Sequence, residues 1–309
     1  MPVKKQKDKR DLLSINDLTR DEVDELLEHT AKLKKKLKKS IPYQPLKGKT
    51  LAMIFSKSST RTRVSFEVGM SQLGGQAIFL TPGDIQLGRG EPLADTARTL
   101  SRYVDGILIR TYSQDDVVDL ARYADVPVIN GLTDLLHPCQ ILSDIYTIVE
   151  RRGSYQGLKV AHIGDGNNVA NTWIQAAALL GFDLNIACPP KYQPDGGILD
   201  ESLKIASSKI NILHDPREAV KDVEVINTDV WTSMGQEAEQ EQRLSDFQGF
   251  QVNHELLSSA PPEAVVMHCL PAHRGEEITE DVLEGKQSIV FDQAENRLHL
   301  QKAILEKFL

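Results

Sequence analysis

The chain has 309 residues, of which 40% are hydrophobic and 26% charged, with a net charge of −8. That composition fits a soluble globular protein long enough for about two domains, and the acidic balance argues against nucleic acid as a partner. Three scattered cysteines, Cys139, Cys188 and Cys269, make no disulfide framework and point to a reducing cytoplasm.

No apolar run reaches the roughly 18 residues of a membrane span, so no membrane is expected as a partner. The basic start MPVKKQKDKRDLL has no apolar signal core behind it, and no Cys/His spacing suggests a structural zinc site. Thr19 and Glu22 have capping-box spacing. They predict a first helix starting near Thr19, with Val23, Leu26, Leu27 and Thr30 on one face. Acids fill its first turns and lysines its last, which complements the helix dipole. Lys34, Lys35, Lys36, Lys38 and Lys39 read as a solvated helix end.

Strands are then predicted at 50–55, 77–81, 106–111 and 126–130, with helices over 62–73, 91–104 and 114–124. A helix at 140–151 ends at Gly153. A second series follows, with strands at 159–164, 183–188, 210–214, 223–228, 264–269 and 288–291. The last helix covers 294–308, with Ala294, Leu298, Leu305 and Phe308 on one face. Strands alternating with helices imply an α/β fold with parallel sheets and crossover helices. The two series meet near 151–157, where charge and glycine interrupt the pattern.

Five segments carry chemistry. Ser58-Ser59-Thr60-Arg61-Thr62-Arg63 follows a strand and opens a helix. Free N–H groups and the dipole at a helix start attract an anion, hydroxyls add short donors, and an arginine grips phosphate through paired hydrogen bonds. In His137-Pro138-Cys139-Gln140, Pro138 holds His137 extended. The imidazole can donate to a carbonyl oxygen and Gln140 can hold an amide-like NH2, while Cys139 by default is a small buried hydrophobe.

Gly164-Asp165-Gly166-Asn167-Asn168 resembles a dinucleotide fingerprint. The acidic residue expected at the end of the next strand is missing, since Ala187-Cys188-Pro189 stands there, so a nicotinamide cofactor is discounted. Asn168 reads instead as a ligand contact or a cap. Asp229, ahead of Trp231-Thr232-Ser233-Met234-Gly235, stands at a strand's carboxyl end, where it faces the crevice of an open sheet and can bind an ammonium group. Cys269, in His268-Cys269-Leu270-Pro271, ends a buried strand.

Together these segments resemble the aspartate/ornithine carbamoyltransferases, along nearly the whole chain and in the family's order. Ser59-Thr60-Arg61-Thr62, Arg110, His137-Pro138-Cys139-Gln140 and Arg297 match carbamoyl-phosphate positions. Gln86 matches a loop that reaches a neighbouring subunit's site. Asn168, Asp229, Ser233 and Met234 match ornithine-binding positions, and Cys269 with Leu270 matches the segment beside the reacting amine. The last two motifs are the ornithine type rather than the aspartate type.

The resemblance implies two domains, each a parallel sheet flanked by helices, with the C-terminal helix returning to the first. Residues 1–150 plus 293–309 would bind carbamoyl phosphate and residues 151–292 L-ornithine. Arg61, Arg110, His137, Asp229 and Cys269 are the implied catalytic residues. A homotrimer or a multiple of one is implied, with no metal or organic cofactor needed.

Overall fold

The computed structural model describes residues 9–309; the basic residues 1–8 noted above lie outside the described residues. Two compact units form. One is the chain through Cys139 together with Arg297–Leu309, and the other is Gln140–Asn296.

In the first unit the order is α1 (Arg20–Lys38), β1 (Thr50–Phe55), α2 (Thr60–Gln72), β2 (Gln76–Leu80), α3 (Leu93–Leu100), β3 (Gly106–Arg110), α4 (Gln114–Tyr123) and β4 (Val128–Leu132), with α5 (Pro138–Arg152) beginning at its end. The sheet is parallel, in the order β2-β1-β3-β4. The inner strands β1 and β3 are buried almost throughout, as a parallel strand covered on both faces must be. Ala52, Ile54, Ile107, Ile109, Val117, Leu120 and Val128 form one core cluster.

The capping box predicted for α1 is present: Glu22 N–H donates to Thr19 Oγ1 at 3.2 Å, and Thr19 N–H donates to Glu22 Oε2 at 3.0 Å. Lys34, read as part of a solvated end, is buried. It follows Leu33 on the inward stripe, where a long aliphatic stem can pack. The strand expected at 126–130 pairs instead at Val128–Leu132, because Pro127 has no N–H to give the ladder.

The second unit continues α5 and contains β5 (Lys159–Ile163), α6 (Asn168–Leu180), β6 (Asp183–Ala187), α7 (Gly196–Ile205), β7 (Ile210–Leu213), α8 (Pro216–Val220), β8 (Val225–Thr228), α9 (Gln240–Asp246), α10 (His254–Leu257), β9 (Val265–His268), α11 (Glu280–Leu283) and the start of α12 (Val290–Phe308). Its parallel sheet has the order β7-β6-β5-β8-β9. Ile163, Ile226, Trp231, Phe247, Val266 and Val290 belong to its core.

The strand expected at 288–291 is not one. Ser288 makes a single parallel bridge to Val266, and the chain turns helical at Val290. The β-branched pair Ile289-Val290 mimics a strand, but Val290 packs into the core as the first residue of α12. That helix is buried nearly all round. Gln293, Asn296, Arg297, His299, Gln301 and Lys302 are buried along with its apolar residues, so its polar side chains face structure rather than water.

Gly166, in the loop between β5 and α6, has no room for a side chain. A Cβ there would lie 2.3 Å from Gln193 C and Pro194 N and 2.6 Å from Tyr192 O. These are backbone atoms that cannot swing aside. Gly166→Ala should therefore lower the unfolding free energy by about 1–3 kcal/mol. Gly196→Ala, where a Cβ meets nothing within 4 Å, should be neutral or slightly stabilising. Thermal denaturation of the pair checks this, and equal melting temperatures would contradict it.

Candidate active site

In the first sheet the chain leaves β1 toward one side, to β2, and leaves β3 toward the other, to β4. The carboxyl ends of β1 and β3 therefore flank a topological switch point, where the crossovers leave a crevice open. The residues read from the sequence as an anion cradle stand there.

Ser59 caps α2, its Oγ accepting from Thr62 N–H at 3.1 Å. The oxygen read as part of the cradle is thus used as a cap, leaving its O–H to donate. The other early N–H groups of α2 have no intrahelical partner by construction. The first turn holds no acid but two arginines, which the positive pole of a helix disfavours unless an anion binds nearby.

The two arginines diverge. Arg63 turns outward to Glu67 at 3.1 Å and stacks 3.6 Å over the Phe79 ring. Arg61 is half-buried beside exposed Thr60. Arg110, ending β3, and Thr62 are buried. From α12, Arg297 Nη2 donates to Thr62 Oγ1 at 2.9 Å. Gln301, its carbonyl turned to Arg297, accepts from Nη2 at 2.9 Å and Nε at 3.0 Å.

His137 is buried. Burial first, and then the charges of Arg297, Arg110 and Arg61, hold its pKa well below the usual imidazole value. It is therefore a neutral ring with one N–H to donate. Pro138 opens α5 as its first residue, where a missing N–H costs nothing. Cys139 donates to the Asn130 carbonyl at 3.4 Å, and burial pushes its thiol up to about 12, so it is the inert hydrophobe expected. Gln86 is exposed at the start of a 3-10 turn, Gln86–Arg89, and none of the hydrogen bonds that build the cradle uses it.

The second sheet has its switch point between β5 and β8, and the same rule applies. Asn167, rather than Asn168, caps α6, its Oδ1 accepting from Val169 N–H at 2.9 Å and Ala170 N–H at 3.3 Å. Asn168 is the first helical residue and is buried. Asp229 follows β8 and is also buried. One of its oxygens accepts from Asn167 Nδ2 at 2.9 Å and the other from Cys269 Sγ at 3.0 Å.

Cys269 is partly exposed, as a reactive or ligand-contacting thiol must be. Leu270 has φ 58°, a conformation that strains a bulky residue, and its N–H donates to His268 Nδ1 at 2.8 Å. Ser233 donates its backbone N–H to Gln236 Oε1 at 3.1 Å, and Met234 beside it is exposed.

Gln140 Nε2 donates to Asp144 Oδ1 at 2.8 Å. Gln293 Nε2 donates to the same oxygen at 2.8 Å, while Gln293 Oε1 accepts from His268 N–H at 2.9 Å. Asn167, Asp144 and Gln293 were not singled out in the sequence. Only Asn167 carried a local signal there, as a cap-forming residue at a helix start. Arg243 was missed too. Its Nη1 donates to the Trp231 carbonyl at 2.8 Å and to Asp165 Oδ2 at 3.1 Å, tying the Ser233-Met234 loop to the loop after β5. In chemical terms, the first unit gathers cations around a neutral imidazole, and the second sets a fixed carboxylate beside a thiol.

Residues 10–150 match the family model described as the carbamoyl-P binding domain of aspartate/ornithine carbamoyltransferase, and residues 156–308 match that of its Asp/Orn binding domain. The ornithine carbamoyltransferase of Syntrophus aciditrophicus is 59% identical over 298 residues, covering 96% of this chain and 99% of that one. That of Geobacter sulfurreducens is 56% identical over 300 residues, covering 97% and 99%. The solved ornithine carbamoyltransferase from Pyrococcus furiosus superposes with a TM-score of 0.92 at 54% identity, over 96% of each chain.

The state of His137 can be measured. Its native pKa lies below the unfolded value of about 6.5. Below that pH the unfolded chain binds the extra proton, so this contribution to stability is complete above about pH 6.5 and is lost as pH falls toward the native pKa. Nitrogen NMR of the ring at pH 6 should show neutral imidazole, and an imidazolium signal there would contradict the assignment.

Proposed function

The chain belongs to the aspartate/ornithine carbamoyltransferase family, and from that premise we propose that Arg61, Arg110, His137 and Thr62 bind and polarise carbamoyl phosphate while Asp229 and Cys269 orient the attacking amine. The reaction is the ornithine carbamoyltransferase reaction. The carbamoyl group of carbamoyl phosphate passes to the δ-amine of L-ornithine, giving L-citrulline and phosphate.

The observation that carries the acceptor half is the Asp229 carboxylate, held on one oxygen by Asn167 and on the other by the Cys269 thiol. A carboxylate fixed in that way attracts an ammonium group and sets its direction. The δ-amine has a lysine-like reference pKa near 10.4, so only about 0.4% is neutral at pH 8. Asp229 gathers and aims the amino group with Cys269 beside it, and the amine must give up its proton before its direct attack on the carbamoyl carbon, without a covalent enzyme intermediate. Asn168, Ser233, Met234 and Leu270 hold the rest of ornithine.

On the donor side, Ser59, Thr60, Arg61 and Thr62 cradle the phosphate, with Arg297 fixed behind them by Thr62 and Gln301. The guanidinium of Arg110 and the single N–H of neutral His137 meet charge developing on the carbonyl oxygen, an oxyanion role that exclusion of water strengthens. Pro138, Cys139 and Gln140 seat the carbamoyl group through the start of α5. Residues 1–150 with 293–309 serve the carbamoyl-phosphate half and residues 151–292 the ornithine half, although the compact units divide at Cys139/Gln140 and at Asn296/Arg297.

The assembly is a trimer or a multiple of one, with Gln86 serving a neighbouring subunit. Val64 and Val68 on α2 and Ile78 on the edge strand β2 are exposed, an apolar surface that a second copy would cover. The setting is cytoplasmic arginine metabolism, in the direction of synthesis or of breakdown.

A colorimetric citrulline assay tests the reaction: ornithine should be carbamoylated, and aspartate and putrescine should not. Arg61→Gly should cut kcat/KM by about 10- to 150-fold, equivalent to the roughly 1.5–3 kcal/mol of one charge-assisted bond; a change under threefold would sink the cradle assignment. Sedimentation should give three chain masses or a multiple of three, and a fully active monomer would refute the shared site.

A further inference from the structure

Beyond Cys269 the chain passes through Pro271 and turns, with Glu276 N–H donating to the His273 carbonyl at 2.9 Å. Three side-chain atoms of this turn, His273 Nδ1, Glu276 Oε2 and Glu277 Oε2, are buried and make no hydrogen bond. One ligand-capable atom from each of the three residues lies within 4.8 Å of the others, and His273 Nδ1 pairs with Glu276 Oε2 at 3.5 Å. Glu277 is fully buried. Buried polar atoms normally find partners, and two carboxylates facing one space call for a cation. Arg274, within the same turn, points elsewhere, pairing with Glu280 and with Glu284.

We propose that His273, Glu276 and Glu277 hold a divalent metal ion of the zinc class, at a site separate from the residues that handle substrate. One imidazole nitrogen and two carboxylate oxygens suit a borderline ion better than magnesium or calcium, which prefer oxygen alone. The 3.5 Å between His273 Nδ1 and Glu276 Oε2 is close to the roughly 3.4 Å edge of a tetrahedron with bonds of about 2.1 Å. Glu277 completes the set with the oxygen not used by His268 and His273 N–H, and water takes the fourth position.

The outer shell is already built. The second oxygen of Glu277 accepts from the His268 ring at 2.9 Å and from His273 N–H at 2.6 Å. Gln251 Nε2 donates to the carbonyls of Gly275 at 2.8 Å and Glu276 at 2.9 Å. Such contacts fix ligand direction before an ion arrives. They also join the site to the reacting segment, since His268 accepts from Leu270 N–H, next to Cys269.

A second group of potential ligands, Asp229, His268 and Cys269, also lies within 4.8 Å of one another, and the test must separate the two. Cobalt(II) is titrated into the full-length protein while visible and near-ultraviolet spectra are recorded, with zinc followed by calorimetry. The expected result is one equivalent bound, d–d bands, and no thiolate-to-cobalt charge-transfer band. His273→Ala and the near-isosteric Glu276→Gln should each weaken binding by at least roughly tenfold, with Cys269→Ser leaving it unchanged. Binding of neither metal would overturn the proposal. So would a charge-transfer band that disappears in Cys269→Ser but persists in His273→Ala, which would put the ion on the thiol set.

Discussion

A strand joined by a right-handed crossover helix to a parallel neighbour must leave its carboxyl end beside that helix's amino end. Where the chain then reverses its direction of winding, two such ends stand side by side with no connection across them. Both sheets of this protein obey that constraint, with reversals between β1 and β3 and between β5 and β8. The start of α2 and Arg110 lie at the first reversal. The start of α6 and Asp229 lie at the second. Residues far apart in sequence are gathered because parallel winding permits polar groups at those places and apolar burial elsewhere.

Electrostatics then distinguishes the two halves. In the first, Arg61, Arg110 and Arg297 all raise the cost of protonating His137, in addition to its burial. The cluster stays positive, and His137 contributes a hydrogen bond rather than another charge. Arg297 reaches the cluster from the far end of the chain because α12 carries a buried polar face, with Gln301 one turn further on holding its guanidinium. In the second half the group offered at the switch point is a carboxylate. Asp229 is satisfied on both oxygens, which makes its burial tolerable and leaves its direction fixed.

The segment after β9 joins several of these features. His268 is held through its backbone by Gln293 and through its ring by Leu270 and Glu277. Those contacts support Leu270 in a left-handed conformation that a leucine would not adopt unaided. Cys269 sits between them, so its approach to Asp229 is set by packing and hydrogen bonds on both flanks.

By itself the sequence determined the α/β class, the capped start of α1, the buried parallel strands and the helix start that carries Ser59–Arg63, because each depends on periodicity or on chemistry within a few residues. It also carried the family resemblance, since motif order survives without coordinates. It misread 288–291, where β-branched residues are used to pack a helix start, and it took Lys34 for solvent-exposed. Tertiary structure alone decided that Asn167 both caps α6 and orients Asp229, and that Arg63 turns away while Arg297 turns in. It alone decided that Asp144, Gln293 and Arg243 tie loops together and that His137 stays neutral. These outcomes depend on contacts across tens to hundreds of residues and on burial, neither of which is written in local spacing.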